Sequence, residues 1–200
     1  MATPSLPPPE RRPDEGRPRG APPEWNVVVS VREDGFGRAL GILRRFGRVT
    51  RTGFRNVLAL TVPDTGEFIA GFSDLVAQRP DVLDAVSRAV PAEASFQFHT
   101  GGEFEEKARD LALARAGRLA GRSFHVRIHR RGLKDRIDSR NEEVFLDKVL
   151  LEALEEAGMP GSITFDDPDA ILDIETVGTW AGMSIWTRED LERYPFLRVD

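Results

Sequence analysis

The sequence predicts an α+β fold built from two successive units. Three observations carry this reading. Short β-branched runs alternate with helical apolar stripes, Gly and Pro punctuate them, and the first six elements run strand, helix, strand, strand, helix, strand. A length of 200 residues suits one large domain or two small ones.

The ordered part is expected to begin near Trp25. Residues 1–23 hold eight of the 14 prolines and almost no large apolar side chains, so they read as a disordered Pro/Arg-rich tail. Trp25 to Val31 is a buried strand. Leu40, Ile42, Leu43 and Phe46 lie at roughly helical spacing between Arg38 and Phe46, and Gly47 stops the helix. Arg48 to Val62 is one long strand, or a hairpin turning near Thr52-Gly53. Phe68, Ile69, Phe72, Leu75 and Val76 form an amphipathic helix ending before Pro80, and Val82 to Val90 is a further strand. This order predicts a ferredoxin-like domain over 24–95.

The second unit opens after a connector with a short strand at Phe96 to Phe98. Glu103 to Leu119 reads as a helix, with Phe104, Ala108, Leu111 and Leu119 on one face. In the next strand Phe124, Val126 and Ile128 point one way, and His125, Arg127 and His129 the other. A basic loop leaves this strand. Ser139-x-x-Glu142 has the form of a capping box opening a helix whose apolar stripe runs from Leu146 to Ala157, with Gly158 ending it. Ser162 to Phe165, Ala170 to Val177 and Ala181 to Trp186 are three short strands, followed by a helical turn at Glu189 to Arg193.

Charge is segregated along the chain. The net charge is −5, yet Gly35 to Val62 carries six arginines and no acid. Arg127 to Arg140 carries six Lys or Arg against Asp135 and Asp138. A protein that is acidic overall can still present a basic face to phosphates. Cysteine is absent, which removes disulfides, thiol catalysis and thiolate metal sites. No apolar run reaches the roughly 20 residues of a membrane helix, and the N-terminus has no signal-peptide core, in keeping with a cytoplasmic protein.

The second unit resembles the THUMP domain of tRNA-modifying proteins. The strand Phe124 to Arg131, Gly132, and Ser139-x-x-Glu142 at the helix start carry the likeness. So do the turn Asp166-Asp-Pro-Asp169, the strand Ile171 to Glu175 and the closing strand Ala181 to Ile185. They occur in the family's order over about 97–195, and the preceding unit stands where a ferredoxin-like domain commonly precedes THUMP. The resemblance implies binding of the tRNA acceptor stem and 3′ end, with chemistry in an attached or separate catalytic part. The chain ends at Asp200, soon after this unit, as in the compact class that acts as adaptor for an RNA cytidine acetyltransferase.

The expected RNA-contacting residues are therefore Arg127, His129, Arg130, Arg131, Gly132, Lys134, Arg136 and Arg140 in the second unit, with Arg44, Arg45 and Arg48 in the first. Against this stands an ordinary solvated loop whose arginines pair with nearby acids. Gly132 would allow a tight turn or a close approach to RNA. His125 and His129 share a strand face, but Arg127 between them would repel a cation, so no metal site is expected. Asp166, Asp167, Asp169, Asp173 and Glu175 could hold Mg²⁺, but the Asp166-Asp-Pro-Asp169 turn explains itself as turn chemistry, which is the favoured reading. Trp180 and Trp186 read as core rather than as stacking platforms for bases. Nucleotide-binding, nucleophile-elbow and zinc-protease motifs are absent.

The expectation is a tRNA-binding protein without catalytic residues or cofactors that serves a separate modifying enzyme. The alternatives are an RNA-binding subunit of a split tRNA methyltransferase or thiolation enzyme, and a protein-interaction module that does not bind RNA.

Overall fold

The computed structural model describes residues 25–199. The expected tail at 1–23 lies outside them. The first unit comprises β1 (Val27–Val31), α1 (Phe36–Leu43), β2 (Arg48–Arg51), β3 (Val57–Thr61), α2 (Thr65–Gln78) and β4 (Val86–Pro91). Its antiparallel sheet has the order β2-β3-β1-β4, the ferredoxin-like arrangement the element order predicts. Of the two readings of residues 48–62, the hairpin is the one formed. The Thr52 hydroxyl donates to the Val57 carbonyl at 2.8 Å and ties its turn. The expected strand from Val82 starts later, because Pro80 opens a short 3-10 turn that runs to Asp84.

The second unit comprises β5 (Ala94–Gln97), α3 (Gly101–Leu113), β6 (Ser123–His129), α4 (Ser139–Glu156), β7 (Ser162–Ile163), β8 (Ala170–Val177), β9 (Trp180–Thr187) and α5 (Arg188–Arg193). Its mixed sheet has the order β5-β9-β8-β6-β7. β6 lies parallel to β8, while β8 and β9 form an antiparallel hairpin. α3 stops at Leu113, and Ala116 to Leu119 continues as a 3-10 turn.

Strand alternation sorts side chains into three clusters. Val27, Val29 and Val31 of β1 pack under Leu43, Phe68 and Phe72. Phe124, Val126 and Ile128 of β6 pack with Phe104, Leu146 and Leu150 of α3 and α4. Val28, on the other face of β1, meets Trp25, Val57, Ala59 and Val177. β8 is buried along its whole length because both of its faces are covered. Ala170, Leu172 and Ile174 enter the second unit's own core, while Ile171 joins the first unit's core. On β9, Gly182 lets Trp25 approach, since a Cβ there would lie 2.8 Å from the indole.

The C-terminal segment folds back across the junction. Phe196, Leu197 and Val199 are fully buried in the first unit's core. The Phe196 ring meets Phe72 edge-on at 4.9 Å, and the Ala89 N–H donates to the Phe196 carbonyl at 2.8 Å.

α4 is capped one residue earlier than expected. Asp138 is the N-cap, accepting from the N–H groups of Arg140 and Asn141, and Ser139 is the first helical residue. Asp accepts at this position as well as Ser does, and here the carboxylate reaches two donors. The reciprocal capping box occurs instead at α5, between Thr187 and Asp190.

Candidate nucleic-acid interface

The basic loop after β6 is held by protein contacts on three sides. The Gly178 N–H donates to the Arg131 carbonyl at 2.9 Å. Gly132 has φ +97°, and a Cβ there would lie 3.0 Å from the Phe54 ring and 3.4 Å from the Gly178 backbone. Of the two readings of Gly132, the tight turn therefore applies, and the close approach is to the first unit's hairpin. Arg136 donates to the His99 carbonyl at 2.7 Å, and Arg130 to the Gly132 carbonyl at 2.8 Å.

Arg131 faces inward rather than toward a ligand. Its guanidinium pairs with Glu175 and reaches Ser30 Oγ on β1 at 3.3 Å. Arg88 of β4 pairs with the same Glu175 and, at 3.3 Å, with Asp173. Both acids are almost completely buried. Burial pushes the Asp173 carboxyl well up, and the Glu175 charge adds to the effect against the pull of Arg88 and Arg131. Asp173 and Glu175, on the strand expected at Ala170 to Val177, thus form an ionic bridge between the units.

His129 completes the cluster. Its Nε2 lies 2.9 Å from the Val199 carbonyl, so that nitrogen carries the proton and donates. Burial lowers its pKa, with Glu175 opposing and Arg88 reinforcing the shift. His129, Asp173 and Glu175 could each offer a ligand atom within 4.8 Å of the others. Arg88 and Arg131 already neutralise the two carboxylates, so a divalent ion would have to displace both cations.

The remaining acids of the group do behave as turn chemistry. Asp169 accepts from the Ser123 N–H at 2.9 Å and from its hydroxyl at 2.8 Å. Arg188 spans Asp167 and Asp169 at 2.9 and 3.1 Å. Trp186 is buried, and Trp180 packs at the junction, both as core.

Of the cations expected to contact RNA, those that remain unpaired lie in two places. In the second unit, Arg127 and Arg140 border a groove of about 620 Å³ between β6 and the start of α4. Lys134 is exposed on the loop. In the first unit Arg44, Arg45 and Arg48 are exposed. Among the described residues, none of these six side chains makes a hydrogen bond or ion pair. The neighbouring arginines are already engaged: Arg38 with Asp81, Arg55 with Glu33, and Arg51 over the Phe36 ring at 5.1 Å. The hairpin turn at Phe54 abuts the Gly132 loop, whereas Arg48 stands at the other end of β2, about 10 Å along the strand from Arg51. The structure joins Arg127, His129 and Arg140 at one groove and leaves Arg44, Arg45 and Arg48 as a separate patch.

Nothing in the sequence marks Phe165 and Val144, both strongly exposed and both lining this groove. Only their exposure, which depends on the short reach of β7, distinguishes them from core residues.

No family model and no curated protein matches the sequence. Solved structures do match the fold. PH1313 from Pyrococcus horikoshii superposes with a TM-score of 0.54 at 13% identity, covering 80% of this chain and 54% of that one. TrmN from Thermus thermophilus superposes at 0.50 with 17% identity, covering 80% and 44%. A 4-thiouridine synthetase solved with RNA and ATP reaches 0.46 at 16% identity, too low to bear on the fold. This chain spans about half the length of the first two structures. The α+β architecture of this chain, with two sheets and five α-helices among the described residues, superposes on both over 80% of its length.

Proposed function

We propose that this chain binds tRNA and presents its acceptor arm to a separate modifying enzyme in the cytoplasm, without performing chemistry itself. The observation that supports this most is that six of the cations expected to contact RNA, Arg44, Arg45, Arg48, Arg127, Lys134 and Arg140, are unpaired on a protein whose net charge is −5. Acids are abundant in the chain, and those that make contacts engage other arginines, helix caps and backbone N–H groups. Unpaired guanidinium groups suit phosphate oxygens, which they contact bidentately. The THUMP-type fold agrees with this reading, as does the resemblance in Ser139-x-x-Glu142, Asp166 to Asp169 and Ile171 to Glu175. Among the described residues, no helix is long and apolar enough to cross a membrane.

The test is tRNA binding measured across a salt series. Affinity should fall steeply with salt, because each phosphate contact contributes about 0.7–0.9 to the slope of log K against log salt. Reversing Arg44, Arg45 and Arg48 to Glu should weaken binding and lower the slope by about 2–3 while the melting temperature holds. Incubation with tRNA and S-adenosylmethionine, acetyl-CoA or ATP should leave the nucleosides unchanged. Absence of tRNA binding at low salt refutes the proposal and favours a protein-interaction module.

A further inference from the structure

The groove between β6 and α4 exists because β7 is short. β7 pairs only with Ser123 and Phe124, so β6 has no outer strand neighbour from Val126 onward. Its backbone donors turn to α4 instead. The Val126 N–H donates to Asp147 Oδ1 and the Ile128 N–H to Glu143 Oε1, both at 2.8 Å. Side chains thus seal the strand edge, and the space an outer strand would fill stays open.

Three features of that space are unusual together. Phe165 stands at its rim with 72% of its surface exposed, and Val144 opposite is 60% exposed. The Phe165 ring is backed by the His125 imidazole, 5.1 Å away and tilted by 36°, whose Nδ1 meets the Thr164 carbonyl at 2.9 Å. The loop behind it is pinned by Arg188 on Asp167 and Asp169. The exposed ring is therefore held in place. Arg127 and Arg140 stand free at the rim, while Asp147 and Glu143 lie deeper. Each of these acids gives one oxygen to a backbone N–H.

We propose that this groove takes one unpaired nucleotide of RNA, its base stacked on Phe165. The base lies inward, where the second oxygens of Asp147 and Glu143 accept from an exocyclic amine. The flanking phosphates lie outward, against Arg127 and Arg140. The arrangement matches the polarity of a nucleotide: apolar ring face to ring, donor to acid, anion to cation. It favours adenine and cytosine over uracil, which presents no amine. The inference rests on the RNA-binding reading and adds a single-strand subsite to it.

Fluorescence polarisation on the full chain tests it. The probes are a blunt RNA hairpin, the same hairpin with a single-stranded adenylate or uridylate tail, and the variants Phe165→Ala and Phe165→Trp. The adenylate tail should tighten binding more than the uridylate tail. Phe165→Ala should remove roughly ten- to hundredfold of the tailed-hairpin affinity and leave the blunt hairpin unchanged. Phe165→Trp should retain the affinity and show fluorescence quenching when the tail binds. Binding of the tailed hairpin by Phe165→Ala as tightly as by the parent overturns the subsite and leaves general RNA binding standing. Equal gain from both tails overturns the assigned base class. A parent that binds neither hairpin refutes both readings.

Discussion

Replacing Arg131 by alanine separates a structural role from an RNA-contacting one. Only 15% of the Arg131 side chain is exposed, and its guanidinium neutralises Glu175, itself 2% exposed. Removing one partner of a buried ion pair costs roughly 3–5 kcal/mol when the other charge is left alone. Glu175 here keeps Arg88, so about 2–3 kcal/mol is expected. For a chain of this size that is a fall in melting temperature of roughly 4–12 °C. Scanning calorimetry measures it, with Arg127→Ala as the control. Arg127 is exposed and unpaired, so its loss should change stability by less than about 0.5 kcal/mol while weakening RNA binding. A double-mutant cycle with Glu175→Gln should show coupling between positions 131 and 175. If Arg131→Ala melts like the parent and loses RNA affinity, Arg131 faces the RNA and the ionic bridge is wrongly assigned.

Two further predictions concern stability. Asp138→Ala removes the cap of α4 and should cost about 0.5–2 kcal/mol in denaturant unfolding, whereas Ser139→Ala should cost little. Asp147 tests pH dependence: burial lifts its carboxyl to about 6 from an ordinary 3.8, helped by Glu143 and opposed by the Val126 N–H. A raised acid pKa means that the charged form is disfavoured in the fold, so this group detracts from stability above about pH 6, and the deficit fades as pH falls toward 4. Asp147→Asn keeps an acceptor for the Val126 N–H, so it should melt above the parent at pH 8, with the gap closing by pH 4.

Local pattern made much of this architecture legible. The alternation of β6 and the apolar spacing of α2 and α4 placed those elements, because strand and helix periods are written in neighbouring residues. Cap identity was harder. Asp138 and Ser139 are both good caps, and only the backbone shows which stands outside the helix. The site was legible in residue type but not in partnership. Arg131 and Arg127 look alike along the chain. Their fates diverge because β6 lies beside β8, which brings Glu175 next to the loop, and because β4 supplies Arg88 from 43 residues earlier. Likewise Phe165 is an ordinary strand residue by sequence, and its exposure follows from β7 stopping at Ile163.

The burial of Ile171, Trp186 and the segment from Phe196 to Val199 within the first unit's core also governs how the chain comes apart. Each unit borrows packing from the other, and the closing residues reach their place only after both sheets exist. Cleaving the chain near Ala92 and Glu93 should thus yield two fragments with exposed apolar faces rather than two working domains. Denaturation should proceed as one cooperative event, with the segment from Phe196 to Val199 docking late in refolding. The basic patches of the two units would then keep a fixed separation, so that an RNA bound there would meet a single preformed template rather than two modules on a tether.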